Sequence, residues 1–151
     1  GGSGIVWADP DGRLRIWHHA RRDELLGRAP AEVLQSIDRI VSGGESLVRE
    51  KEGARAAARS AVATTDEHVW LIALHEASGV RRFDGGVRLL KTGYMGLPLW
   101  AFAAYVRDAI GAAEALNLDG AVSTQMMVRA GGEDFRILGE RGTINALVLR
   151  P

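Results

Sequence analysis

From Glu114 to Thr124 the chain reads Glu-Ala-Leu-Asn-Leu-Asp-Gly-Ala-Val-Ser-Thr, an apolar run that ends in an acid, a glycine and two hydroxyls. An apolar run of strand length that stops at Asp-Gly predicts a buried strand delivering polar groups to one edge of a sheet. A turn there gathers the Asn117 amide, the Asp119 carboxylate and the Ser123 and Thr124 hydroxyls, because the backbone reverses where the polar side chains begin. A carboxylate among hydrogen-bonding side chains is suited to proton transfer on a bound polar ligand. An Asp in this position also has a plainer role open to it, that of capping its own turn.

The flanking segments supply the elements that must hold such a cluster. Pro98 to Ile110 is the clearest helix: Leu99, Phe102, Ala103, Val106 and Ile110 fall on one stripe, with Pro98 at the start and Gly111 as the stop. It feeds the expected strand at Ala115 to Leu118. Upstream, Asp9-Pro-Asp-Gly12 joins Ile5–Ala8 to Arg13–His18 in a predicted hairpin. Arg21 to Arg28 is charged, and helical or irregular. Pro30 to Gln35 fits either a short helix or an extended run. Ser42-Gly-Gly44 is a loop, and Glu50 to Ala58 lacks the apolar surface of a core helix.

Ser60–Thr64 and Val69–His75 are expected strands around a Thr65-Asp-Glu67 turn. The second of them is continuously apolar, as for a strand buried on both faces. Gly79 to Gly96 reads as a long loop with a short strand near Val87–Leu90. Thr124–Val128 and Phe135–Leu138 form a hairpin across Gly131-Gly132, and Asn145–Leu149 is a closing strand. The class implied is α+β: a mixed β-sheet packed by one or two helices, in a single domain.

Bulk composition narrows the function classes. The 151 residues suit one domain with a real core, and 46% apolar with 25% charged residues is ordinary for a globular chain. Lys+Arg and Asp+Glu are equal at 19 each, so no global field recruits nucleic acid or an anionic membrane surface. No apolar run reaches the ~20 residues of a membrane-spanning helix. With no cysteine, disulfides, thiolate metal sites and a thiol nucleophile are excluded. His18 and His19 alternate across a strand and make a poor metal pair, and Asp9-Pro-Asp-Gly12 lacks the remaining ligands of a calcium loop.

Helix, buried strand and Asn117-Leu-Asp119-Gly120-x-x-Ser123-Thr124, in that order, resemble the phosphodiester glycosidase domain family. The family's hallmark is Asn-Leu-Asp-Gly-Gly-Gly-Ser-Thr or Ser after a helix opening Gly-Leu-Thr-Leu, and here Gly96-Leu97-Pro98-Leu99 opens the helix. Three further segments match in order: Gln35-Ser36 with Leu47-Val48, Arg59-Ser60-Ala61-Val62, and Gly139-Glu140-Arg141 with Asn145-Ala146-Leu147. The chain departs from the pattern at Ala121 and Val122, which replace two glycines, at Ile37-Asp38 in place of Gly-Pro, and at Gly142-Thr143 in place of Pro-Val. The early Asn-Gly-Gly-Phe-Phe strand is missing from this stretch, either removed upstream of Gly1 or lacking in this branch, and residues 1–151 are expected to form the family domain without it. Since Val is the worst residue for a left-handed position, the loop after Gly120 is expected to be shaped differently from the family's.

The resemblance implies cleavage of a sugar-1-phosphodiester or a related glycosidic linkage. Such chemistry draws on a pair of carboxyls, for which the motifs put forward Asp119 and Glu140. Arg59 and Arg141 are the candidate phosphate binders. Gln35, Asn117, Gly120, Ser123, Thr124 and Asn145 complete the proposed substrate contacts. No metal ligand set and no cofactor are implied, with a divalent metal left open. The ligand class is a carbohydrate or sugar phosphate, and only the resemblance favours a secreted or periplasmic setting. The alternatives are a carbohydrate- or phosphate-binding module that has lost turnover along with the two glycines, and a partner-docking domain whose polar residues do not converge.

Overall fold

A computed structural model describes residues 3–10, 12–28, 30, 32–51, 53–75, 96–138 and 146–148. Strands β1 (Gly4–Ala8), β2 (Leu14–His18) and β3 (Glu32–Ser36) form a sheet ordered β2-β1-β3. The first hairpin closes as expected. Asp9 accepts the Arg13 N–H at 2.7 Å and the Arg15 Nε at 3.0 Å, so one carboxylate fastens the turn to the returning strand. Of the two readings of the segment after Pro30, the extended one holds. Residues Glu32 to Ser36 pair with β1 along its whole length, and this long-range pairing decides what local propensity leaves open.

The second sheet contains β4 (Asp38–Ser42), β5 (Glu45–Ser46), β6 (Arg59–Thr64), β7 (Val69–Leu74) and β8 (Glu114–Asn117), in the order β5-β4-β8-β6-β7. The class is α+β, and the strand pairs among the described residues are antiparallel. A register shift between Arg39 and Val41 leaves Ile40 as an extra residue in β4. The apolar run of β7 is buried only towards its end. It is the last strand in the described order, and Val69 is 39% exposed while Ile72 to Leu74 are buried.

Strand alternation divides the core into layers. Val6 and Ile16 of the first sheet meet Val62 and Leu116 of the second. The opposite parity of the second sheet puts Val41, Ala61, Ala63 and Ala115 against Phe102, Ala103 and Val106 of helix α2 (Leu99–Asp108). These are the stripe positions expected from sequence. The buried alanines let the helix come close enough for Phe102 to be fully enclosed, which stabilises by about 2–3 kcal/mol. Pro98 is the N-cap rather than the first helical residue.

On the outer face of the first sheet, α1 (Arg22–Leu26) lays Leu25 on Ile5, Trp7 and Trp17. The Arg21 guanidinium lies 3.9 Å from the centre of the Trp17 ring. Strands β9 (Met126–Ala130) and β10 (Glu133–Ile137) form the expected hairpin, whose turn falls at Gly131-Gly132. Of the expected closing strand, Ala146 to Val148 are described and belong to no strand, although Leu147 packs on the inter-sheet core. The expected strand near Val87–Leu90 lies outside the described residues.

Candidate functional site

Three strands of the second sheet bring their ends to one place. β8 finishes there at Asn117 while its two antiparallel neighbours, β4 and β6, begin there. Asn117 is opposite Asp38 on one side and Ala61 on the other. Directly opposed residues share a face, and so do residues two apart. Asp38, Asn117, Ala61 and Arg59 therefore occupy the α2 face of the sheet at this end.

The chain beyond β8 is stitched to the entry of β6. The Leu118 N–H donates to the Ser60 carbonyl at 2.8 Å, and the Ser60 hydroxyl donates to the Asp119 carbonyl. The Ala121 N–H donates to the Ala58 carbonyl at 2.8 Å, starting a short 3-10 turn over Ala121–Ser123. Gly120 sits so close that a Cβ there would lie 2.9 Å from that same carbonyl and 3.7 Å from Arg59 Cα. The hallmark glycine is thus required by a backbone approach. These bonds hold the Asp119 backbone at the sheet end next to the start of β6, with the residue exposed to solvent and its Oδ1 accepting the Gly120 N–H at 2.9 Å.

The loop does not avoid the left-handed conformation. Ala121 adopts it, at φ +53°, in the position where the family pattern has glycine, while Val122 is not among the positive-φ residues. The left-handed conformation thus falls on Ala121 and spares the β-branched Val122, and alanine bears the strain.

Arg59 has two commitments. Its Nε donates to the Leu97 carbonyl at 3.0 Å and its Nη2 to the Arg55 carbonyl at 2.8 Å, which ties the start of β6 to the segment leading into α2. Burial pushes its pKa below the ordinary value and the Asp38 carboxylate pushes it back up. The guanidinium stays a cation, since arginine is not deprotonated in proteins. Asn117 is 8% exposed, and its Oδ1 is buried without a hydrogen-bond partner among the described residues. Buried polar atoms are rarely left unpaired, so this enclosed acceptor at the end of β8 calls for a donor.

The helix-entry match is also held by backbone contact. Ala57 and Leu97 form a two-way backbone bridge, and Gly96 has φ +97° with room for no side chain, since a Cβ would fall 1.8 Å from the Ala57 oxygen.

Of the other sequence candidates, Ser123 is half-buried in the 3-10 turn and Thr124 is fully buried, with its Oγ1 unpartnered among the described residues. Gln35 stands apart. It pairs with Ile5, so it shares the outer face of the first sheet with Trp7, away from the second sheet. Glu140, Arg141 and Asn145 lie outside the described residues. His18 and His19 come to 4.8 Å between ring centres because the chain leaves the strand at His19, but His18 Nδ1 accepts the Ala20 N–H. Among the described residues no three His, Cys, Asp or Glu side chains group as a metal site, and no helix is long and apolar enough to cross a membrane. Sequence reasoning did not place Asp38 in the site. It was legible only as a departure from the Gly-Pro pattern, and its position depends on the β4 register.

The phosphodiester glycosidase family model matches residues 2–150. The chain belongs to the phosphodiester glycosidase family. No curated protein sequence matches it. Among solved structures it is similar to the catalytic domain of zebrafish N-acetylglucosamine-1-phosphodiester alpha-N-acetylglucosaminidase, in a form auto-inhibited by pro-peptide. The TM-score is 0.55 at 20% identity, with 82% of this chain covered. The chain spans 41% of that structure's length, so the likeness is one of fold. Within the phosphodiester glycosidase family, this member keeps the Asn-Leu-Asp-Gly strand end and the Arg59 strand in contact, with alanine at the left-handed residue and an acid at position 38.

Proposed function

We propose that the protein hydrolyses sugar phosphodiesters or closely related glycosides at the end of β8. What supports this reading is that the backbone at one sheet end carries an exposed carboxylate, Asp119, a half-buried cation, Arg59, and Asn117 with its unpartnered amide oxygen. Asp119 would act on the glycosidic oxygen or the anomeric carbon, with Glu140 as the second carboxyl by resemblance. Arg59 and Arg141 would neutralise the phosphate, and an arginine already fixed through its other nitrogens gives up little freedom in doing so. Asn117 Oδ1 would accept from a sugar hydroxyl, with Ser123 and Gly120 at the edge of the same site and Asn145 a further contact by resemblance alone.

A second reading is kept because alanine and valine stand where the family pattern has glycines. The protein would then bind a carbohydrate or sugar phosphate at the same place without turning it over. Assaying sugar release from p-nitrophenyl and phosphodiester-linked N-acetylglucosamine, with and without divalent metal, separates the two. Release supports the hydrolase. No release together with calorimetric binding of the same compounds supports the binder, and neither release nor binding rejects both.

A further inference from the structure

The anionic neighbour of the cluster has no part in the reading above. Asp38 opens β4 directly opposite Asn117, on the same face of the sheet. Opposed strand residues have Cα atoms about 5 Å apart, so its carboxylate stands one strand from the unpartnered Asn117 oxygen. Arg59 lies on that face too, two residues before Ala61, which flanks Asn117 on the other side. The site is therefore built as a row, Asp38, Asn117, then the β6 strand carrying Arg59, and a ligand seated on Asn117 lies between opposite charges.

We propose that Asp38 sets the charge selectivity of this site, admitting singly charged phosphodiesters and neutral sugars while disfavouring doubly charged phosphomonoesters. The inference rests on the reading of the cluster as a sugar-phosphate site. The Asp38 carboxylate pushes the Arg59 pKa up against the effect of burial, in keeping with their places on one face of the row. In the hydrolysis proposed, water's hydroxyl joins the anomeric carbon and its proton goes to the departing phosphate oxygen as the C–O bond breaks. The phosphate leaves as a monoester, whose second ionisation near pH 6 gives it almost two charges at neutral pH. A fixed carboxylate beside the seat would expel that product more strongly than it opposes the substrate.

The test measures calorimetric affinities of methyl phosphate and dimethyl phosphate at pH 7.5 and low salt for the wild type, Asp38→Asn and Arg59→Ala. A unit charge about 6 Å away, under mostly aqueous screening, changes the affinity for each ligand charge about fivefold. Removing it in Asp38→Asn is expected to raise the monoester-to-diester affinity ratio about fivefold, whereas Arg59→Ala weakens both ligands. Asp38→Ala, checked for an unchanged melting temperature, must show the same ratio change. An unchanged ratio in folded protein, or the absence of any binding, overturns the proposal. Sugar release with an unchanged ratio would reject the role of Asp38 and leave the hydrolase reading standing. A changed ratio without sugar release would do the reverse.

Discussion

The two residues that stand where the family pattern has glycines should answer oppositely when glycine is restored. Ala121 is exposed, sits at φ +53° and makes its loop contact through its own N–H to Ala58, so a glycine there loses no packing and no hydrogen bond. A left-handed L-residue costs about 1–2 kcal/mol. The greater freedom of glycine in the unfolded chain returns about 0.4–1 kcal/mol of that. Ala121→Gly is therefore expected to stabilise by about 0.5–1 kcal/mol. Val122 has no positive φ, so Val122→Gly gains nothing from strain relief and costs about 1 kcal/mol in backbone freedom. At this chain length 1 kcal/mol corresponds to about 2–4 °C in Tm. Scanning calorimetry of the two single variants should show Tm rising by a few degrees for the first and falling for the second. A fall for Ala121→Gly, or equal shifts for both, would mean that the left-handed alanine is not a feature of the native loop.

Three further outcomes follow from other parts of the fold. Gly96→Ala forces a Cβ to 1.8 Å from the Ala57 carbonyl oxygen at φ +97°, so urea unfolding should show a loss of about 3 kcal/mol or more, and a loss below about 1 kcal/mol would contradict the Ala57–Leu97 bridge. Glu114 accepts from Arg39 at 2.8 Å and from Ser42 and the Gly43 N–H, with only 12% of the Arg39 side chain exposed. Glu114→Ala should thus cost about 2 kcal/mol by the same measurement, with a neutral effect refuting the pair's role. In the β9–β10 hairpin, hydrogen bonds from Arg129 and then Arg136 hold the Asp134 carboxyl down to about 2. Because that pKa is depressed, the stabilisation is fully present above about pH 4 and disappears as pH falls through about 2. An NMR titration of Asp134 with a midpoint near the ordinary carboxylate value would exclude the arginine fork.

What the sequence made legible was local. The helical stripe from Leu99 to Ile110 and the Asp-Gly end of β8 are patterns within one segment, and each maps onto one face or one turn. The first hairpin was equally readable, since Asp9 lies four residues from the N–H it caps. What escaped depends on pairing across the chain. Glu32 to Ser36 is a strand because β1 is beside it, and that register turns Gln35 outward. Asp38 faces Asn117, some 80 residues later in sequence, only through the β4–β8 register. The tethering of Arg59 to Arg55 and Leu97 likewise needed the folded backbone to become visible.

On the proposed function Asp119 serves chemistry rather than holding the turn. Its carboxylate is exposed and its one described bond is to the adjacent Gly120 N–H, so Asp119→Asn preserves shape and an acceptor oxygen while removing the acid. The measurement is sugar release from phosphodiester-linked N-acetylglucosamine by wild type and Asp119→Asn, with Tm recorded on the same samples. Turnover reduced by at least about a hundredfold, with Tm within about 2 °C of wild type, is the predicted result. Unchanged turnover, or lost turnover accompanied by a Tm fall of many degrees, would contradict it and make Asp119 a structural residue of the β8 turn.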